Sequence, residues 1–249
     1  MAISSLATSA MAAQTWSTQF AGPNKSQFQI YWNGSGSPSQ YAVVDLTSGY
    51  IRLVDGPSSG WGTSVDVMPC YWSNSVLYQG YPIAAIGAAA GTNFLLKLRG
   101  TSQGLTTTVL ITFFPPTPNV SFAAQISATT TGTVALDNRP GEAFKPIFLS
   151  SMHDSATSWD SVNPFVGTYP SATGWILQPS QNVLASTWGL TGGTSQWKTN
   201  APTMTVTSAA PYQIAGWLTQ DTDPNGDNVG FWAATATVPT SWNFTVTAS

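Results

Sequence analysis

The stretch "TTTVLITFF", residues 106–114, alternates along its length, and that alternation decides the fold class. Successive side chains of a β-strand point to opposite faces. Thr106, Thr108, Leu110, Thr112 and Phe114 therefore share one face, and Thr107, Val109, Ile111 and Phe113 share the other. The second face is core and the first is half wet.

Working outward, β-branched or aromatic runs of this kind recur at 27–32, 41–46, 50–55, 63–68, 93–99, 120–129, 145–152, 174–179, 203–208, 212–220, 229–238 and 242–248. Clusters of Gly, Pro, Asn and Ser separate them, the mark of many short strands in a sandwich or barrel. Roughly a dozen strands suit a large two-sheet β-sandwich of jelly-roll type. The segment "PIAAIGAAAG", 82–91, is the main helix candidate, although it carries two glycines, each costing about 1 kcal/mol in a helix interior relative to Ala. No linker or composition shift divides the chain. The expected organisation is a remnant signal or N-terminal extension over 1–14 and a single β-sandwich domain over 15–249, with very little helix.

Composition narrows the partners. Charged residues make up 7% of the 249, against roughly 25% in an ordinary soluble chain, while Trp, Tyr and Phe make up 12%. Ser, Thr, Asn, Gln and Gly must then cover much of the surface. The seven Lys and Arg are scattered and the net charge is −3, so the cation cluster that phosphate backbones require is missing. Nucleic acid is excluded as an expected partner, and a neutral or weakly charged glycan suits such a surface. Cys70 is the one cysteine, which rules out an intrachain disulfide and any multi-cysteine metal site. The opening "MAISSLATSAMAAQ" resembles an incomplete signal peptide, and Asn24, Asn33, Asn119 and Asn243 begin Asn-x-Ser/Thr sequons. Both features point to a secreted, extracellular protein. No apolar run reaches the roughly 20 residues of a membrane-spanning helix.

For chemistry, absences come first. One glutamate, Glu142, and one histidine, His153, leave no glutamate pair and no His-rich zinc centre. A serine triad would depend on His153, and the chain has no G-x-S-x-G elbow. What remains is "SMHDSATSWDS", 151–161, where Asp154 and Asp160 could approach each other as a glycosidase carboxyl pair if the intervening loop folds back. The alternative is that both aspartates cap turns. A lyase would need less: His153 as base, with Arg139 to neutralise a uronate carboxylate. His153 at a strand end could equally be a structural hydrogen-bonding residue.

The loop "DTDPNGD", 221–227, sets Asp221, Asp223, Asn225 and Asp227 at alternating positions, the oxygen spacing that Ca²⁺ takes. Trp232 stands where an EF-hand has its Glu, and "PNGD" alone makes an ordinary hairpin turn. The strongest positive signal is aromatic. Trp61, Tyr71, Trp72, Trp159, Trp188 and Trp197 lie in or beside polar segments, and alternation in 212–220 sends Trp217 to the more polar strand face. Exposed flat rings with a polar rim stack on pyranose C–H faces; buried ones would pin loops to the sheets instead. The expectation is a carbohydrate-binding β-sandwich using Trp61, Tyr71, Trp72, Trp159 and Trp217, with a lyase or Asp-dependent glycosidase centred on His153, Asp154, Asp160 and Arg139 as its catalytic form. The alternative is a structural, self-assembling or pore-forming protein.

Overall fold

A computed structural model of the protein describes residues 15–34, 39–47, 51–53, 63–66, 70–78, 83–102, 104–120, 122–138, 144–153, 163–166, 183–191, 204–219, 227–235 and 241–248. Among these residues the one helical element is a 3-10 turn at Pro23–Lys25, and nearly everything else is strand. In chain order the strands are β1 (Thr15–Ala21), β2 (Gln27–Asn33), β3 (Ser39–Asp45), β4 (Ile51–Leu53), β5 (Thr63–Asp66), β6 (Cys70–Ser73), β7 (Val76–Tyr78), β8 (Ile83–Ala90) and β9 (Asn93–Ser102). They continue with β10 (Leu105–Phe114), β11 (Phe122–Gly132), β12 (Phe144–His153), β13 (Asn163–Val166), β14 (Val183–Thr191), β15 (Met204–Thr219), β16 (Asp227–Thr235) and β17 (Ser241–Ala248).

Four strands form one antiparallel sheet in the order β1-β2-β3-β4. The remaining thirteen form a second, whose main path runs β7-β6-β12-β16-β15-β17-β11-β10-β9-β8. Alongside that path β5 pairs with β12, and β13 pairs with β14, which lies on β15. The alternation read from 106–114 holds along β10, where Leu105, Thr107, Val109, Ile111 and Phe113 are buried and Leu110 is exposed. Thr107 is the one polar member of that buried set, and its hydroxyl meets that of Thr130 at 3.4 Å on the neighbouring strand.

Two readings of the sequence are corrected. The helix candidate at 82–91 is strand β8, paired with β9 from Ile83↔Gly100 to Ala90↔Asn93. Gly91, at φ 61°, opens the two-residue turn that makes this hairpin possible. Gly87 has a packing reason: a Cβ there would come within 2.6 Å of the Phe94 ring. Segments 203–208 and 212–220, expected as two strands, are one sixteen-residue strand, β15. Its first part, Met204–Ser208, pairs with β17, and its last part, Gln213–Thr219, pairs with β16. The neighbour changes across Ser208–Pro211, opposite the register shift between Ala185 and Thr187 of β14. Pro211 cannot donate to a ladder, and a strand that changes partners through a bulge is how a sheet turns a corner.

Strand order also fixes curvature. The ten-strand path would spread about 43 Å if flat, at about 4.8 Å per strand. Its two end strands, β7 and β8, are nevertheless neighbours in sequence, with Tyr78 and Ile83 five residues apart. Five residues reach at most about 18 Å, so the sheet curls back on itself. The curl is visible where Tyr71 of β6 packs with Leu105 of β10 in a small buried cluster flanked by Tyr78, Val134 and Leu136. Asp137 clips the β6–β7 hairpin there, its N–H donating to the Trp72 carbonyl at 3.0 Å and its Oδ2 accepting from the Ser75 N–H at 2.8 Å.

Strands β8 to β11 are consecutive in sequence and adjacent in space, an up-and-down meander. A jelly roll is made of Greek-key returns, and this part of the sheet has none because its hairpin loops are short enough to hold each strand beside the next. The largest buried cluster joins both sheets: Phe28, Ile30, Trp32, Tyr41, Ala42 and Val44 from the smaller, with Phe94, Val109, Ile111, Phe113, Trp242 and Phe244 among those from the larger. Trp16 of β1 sits edge-on to Trp32 and Tyr41, with centroids at 4.8 and 5.0 Å, and 5.9 Å from Phe94 of the other sheet. Tyr41 ties the layers by hydrogen bonds as well. Its hydroxyl donates to the Phe114 carbonyl at 2.7 Å and accepts from the Ala123 N–H at 3.1 Å. Burial pushes the Tyr41 phenol up from 10.0 to about 12, against the smaller opposing effect of the Ala123 hydrogen bond.

Candidate functional site

The residues singled out from sequence fall mostly outside the described part of the chain. Trp61, Arg139, Asp154, Trp159, Asp160, Asp221, Asp223 and Asn225 all lie there, so the proposed carboxyl pair and calcium loop have no described geometry. His153 ends β12 and stands opposite Asp227, the first residue of β16. Trp217 lies in β15 opposite Gly230.

Tyr71 and Trp72 are described, and Tyr71 differs from a sugar platform. It is fully buried and stacks on Tyr78 with centroids 5.1 Å apart, so its face belongs to the small cluster under the curled sheet. Trp72 is half-buried beside it. Trp188, expected at the surface because of its Ser/Gly surroundings, is also fully buried, edge-on to Phe244 at 5.5 Å. The reason is register: Trp188 pairs with Val206, which is itself buried. The indole N–H groups of Trp188 and Trp242 find no acceptor in this core.

The surface that does gather binding groups is the outer face of the meander. Register builds it row by row. Ile86, Lys97, Leu110, Ser127 and Asn243 stand side by side across β8, β9, β10, β11 and β17, and Ala88, Leu95, Thr112, Gln125 and Thr245 form the next row. Ala84, Arg99, Thr108, Thr129 and Ser241 make the row beyond. Residues of the first two rows line an open groove of about 470 Å³. Its walls combine exposed aliphatic carbon, with Ile86, Leu95 and Leu110 at 73, 46 and 50% exposure, with the amides of Gln125 and Asn243, the hydroxyls of Thr112 and Ser127, and the Lys97 ammonium.

Among the described residues that line this groove there is no carboxylate, imidazole or thiol. Its described lining sets apolar patches beside hydrogen-bond donors and acceptors. Among the described residues, no group of three His, Cys, Asp or Glu converges as a metal site would. No described helix is long and apolar enough to cross a membrane.

Sequence reading missed Leu95, Lys97, Gln125 and Asn243. A signal was present in "FLLKLR", 94–99, where Leu95 is apolar on the face that Lys97 and Arg99 make polar. Pairing across five strands was the unknown, since β11 and β17 are separated by more than a hundred residues. No protein-family model and no curated protein matches the chain.

Proposed function

We propose that the protein binds a carbohydrate chain in the outer groove of β8, β9, β10, β11 and β17. The observation that carries this reading is the composition of the groove, with aliphatic side chains interleaved with amide and hydroxyl groups on one open surface. A pyranose presents that same pattern, C–H faces between equatorial hydroxyls. Ile86, Leu95 and Leu110 would meet the C–H faces; Gln125, Asn243, Ser127 and Thr112 would bond the hydroxyls. The size fits as well, within the roughly 300–1,000 Å³ of ordinary ligand pockets.

Two further expectations belong to the same reading. The two sheets stack as the layers of one β-sandwich, which the shared cluster of Trp16, Tyr41, Phe94 and Phe113 supports. The protein is secreted, in keeping with the opening Ala/Ser segment. Cleavage of the bound chain would fall to His153, Asp154, Asp160 and Arg139, not to the groove.

Titration calorimetry against a panel of neutral and uronic oligosaccharides tests the reading, run beside assays for reducing ends and for unsaturated products. At least one glycan should bind. The double variant Gln125→Ala/Asn243→Ala should weaken it roughly tenfold or more, as the loss of two hydrogen bonds of about 1 kcal/mol each implies. Both side chains are exposed, so folding should be unaffected. Failure of every glycan to bind at millimolar concentration would refute the proposal.

A further inference from the structure

Sheet edges expose unpaired backbone donors and acceptors, and proteins usually blunt them with short strands, prolines or charges. Most edges here follow that practice. Strands β4 and β7 are three residues long, and β13 is four residues with Pro164 inside it. Strand β8 does not. It runs eight residues, "IAAIGAAA", with no charge and no proline, and among the described residues nothing pairs with its outer edge.

The flank around β8 is apolar and open. Ile86 is 73% exposed on the outer face. Above β8, Phe20 of β1 pairs with the buried Phe28 and so faces inward, at 5.3 Å from that ring, yet it is 57% exposed. Phe28 in turn lies against Gly87 of β8. An inward-facing phenylalanine that stays more than half exposed marks a place that no described residue covers.

We infer that β8 is a homodimer interface, pairing antiparallel with β8 of a second copy so that the large sheet continues from one subunit into the next. A twofold axis normal to the sheet keeps both outer faces on the same side, and such an axis makes the interface isologous. With Ile86 opposite its own symmetry mate, Ala84 meets Ala88 and Ala85 meets Gly87. Small side chains thus oppose small ones at the centre of the strand, Ile83 meets Ala89, and the exposed Ile86 meets its copy. Nothing on β8 repels: the nearest cation on that face, Lys97, is one strand in. Its distance to the symmetry copy is three strand spacings, about 14 Å, beyond the screening length of about 8 Å in physiological salt. A self-complementary neutral strand favours a second copy over a foreign partner, which would need its own matching edge. Ile86 also lines the groove, so the dimer is tested with no glycan present and read by oligomeric state alone.

Light scattering coupled to size exclusion, over a concentration series of the full chain, should show a dimer. Ile86→Lys should raise the dimer dissociation constant roughly tenfold or more, because like charges would then face each other across the new pair. The far-UV spectrum of the variant monomer should stay as it was, since the side chain is exposed, while its melting temperature falls only slightly, the new ammonium standing opposite Lys97 on β9. Leu184→Lys, at an exposed leucine on β14, should leave the dimer intact. Amide hydrogen exchange should localise the contact, slowing in 83–90 as concentration rises. A chain that stays monomeric overturns the inference. So does a dimer that survives Ile86→Lys, one that Leu184→Lys also breaks, or one whose β8 amides exchange at a concentration-independent rate.

Discussion

The meander of β8 to β11 and the strands around the corner in β15 keep their registers in opposite ways. In the meander, β10 and β11 pair from Leu105↔Gly132 to Phe114↔Ala123 without a shift, and β11 and β17 pair from Phe122↔Ala248 to Thr129↔Ser241 in the same way. Around the corner, the β14–β15 register shifts between Ala185 and Thr187, and the β12–β16 register shifts between Phe144 and Ile147. Prolines fall at both places, Pro211 in β15 and Pro146 in β12. An unbroken ladder builds a layer with one dry face; a sheet that must turn needs a place where the ladder can be interrupted, and proline, having no N–H to lose, supplies it.

That contrast can be broken experimentally. The largest effect should come from the meander's dry face. Ile111→Ala removes a fully buried side chain between two long ladders and should cost about 2–5 kcal/mol in urea unfolding. A loss under 1 kcal/mol would mean that the meander is not where stability resides.

Tyr41→Phe comes next, at about 1–3 kcal/mol, since it strands the Ala123 N–H and the Phe114 carbonyl in a buried setting. The same residue gives a pH test with a definite sign. The folded phenol is raised from 10.0 to about 12, so its neutral form is the one the fold favours. Its contribution is complete below pH 10 and is lost as pH rises through 12, by about 2–3 kcal/mol in all. Melting curves should therefore fall more steeply above pH 10 for the wild type than for Tyr41→Phe. Equal slopes would sever the proposed tie between sheets. The smallest effect belongs to the corner: Pro211→Ala should change stability by no more than about 1 kcal/mol, because the ladder is already interrupted there. A larger loss would make the proline a strut for the bend.

The sequence revealed some of this architecture and concealed the rest for definable reasons. Alternation was legible wherever one strand face is dry and the other wet, as in 27–32, 93–99 and 106–114, which became β2, β9 and β10. It failed for β8, whose alanines carry no contrast between faces, so helix propensity was the only voice left. It failed again at 203–220, where Pro211 reads as a break between strands although it marks a bend within one. The candidate site was legible only in part. The wet face of 106–114 was identified, but the groove depends on which strands flank it, and no local pattern brings Asn243 beside Ser127. Aromatic residues misled for a related reason. A tryptophan among serines and glycines, as at Trp188, can still belong to the core when its pairing partner, Val206, is buried.

The placement of β17 bears on how the molecule is made. This strand, last in sequence among those described, lies in the middle of the large sheet, between β11 and β15. Until residues 241–248 are in place, β11 lacks a partner over Phe122–Thr129 and β15 over Met204–Ser208, and the meander is not joined to the corner strands by that ladder. High contact order of this kind slows folding and lengthens the time that sticky intermediates persist. Pairing of β17 is therefore the step that joins the meander to the corner strands.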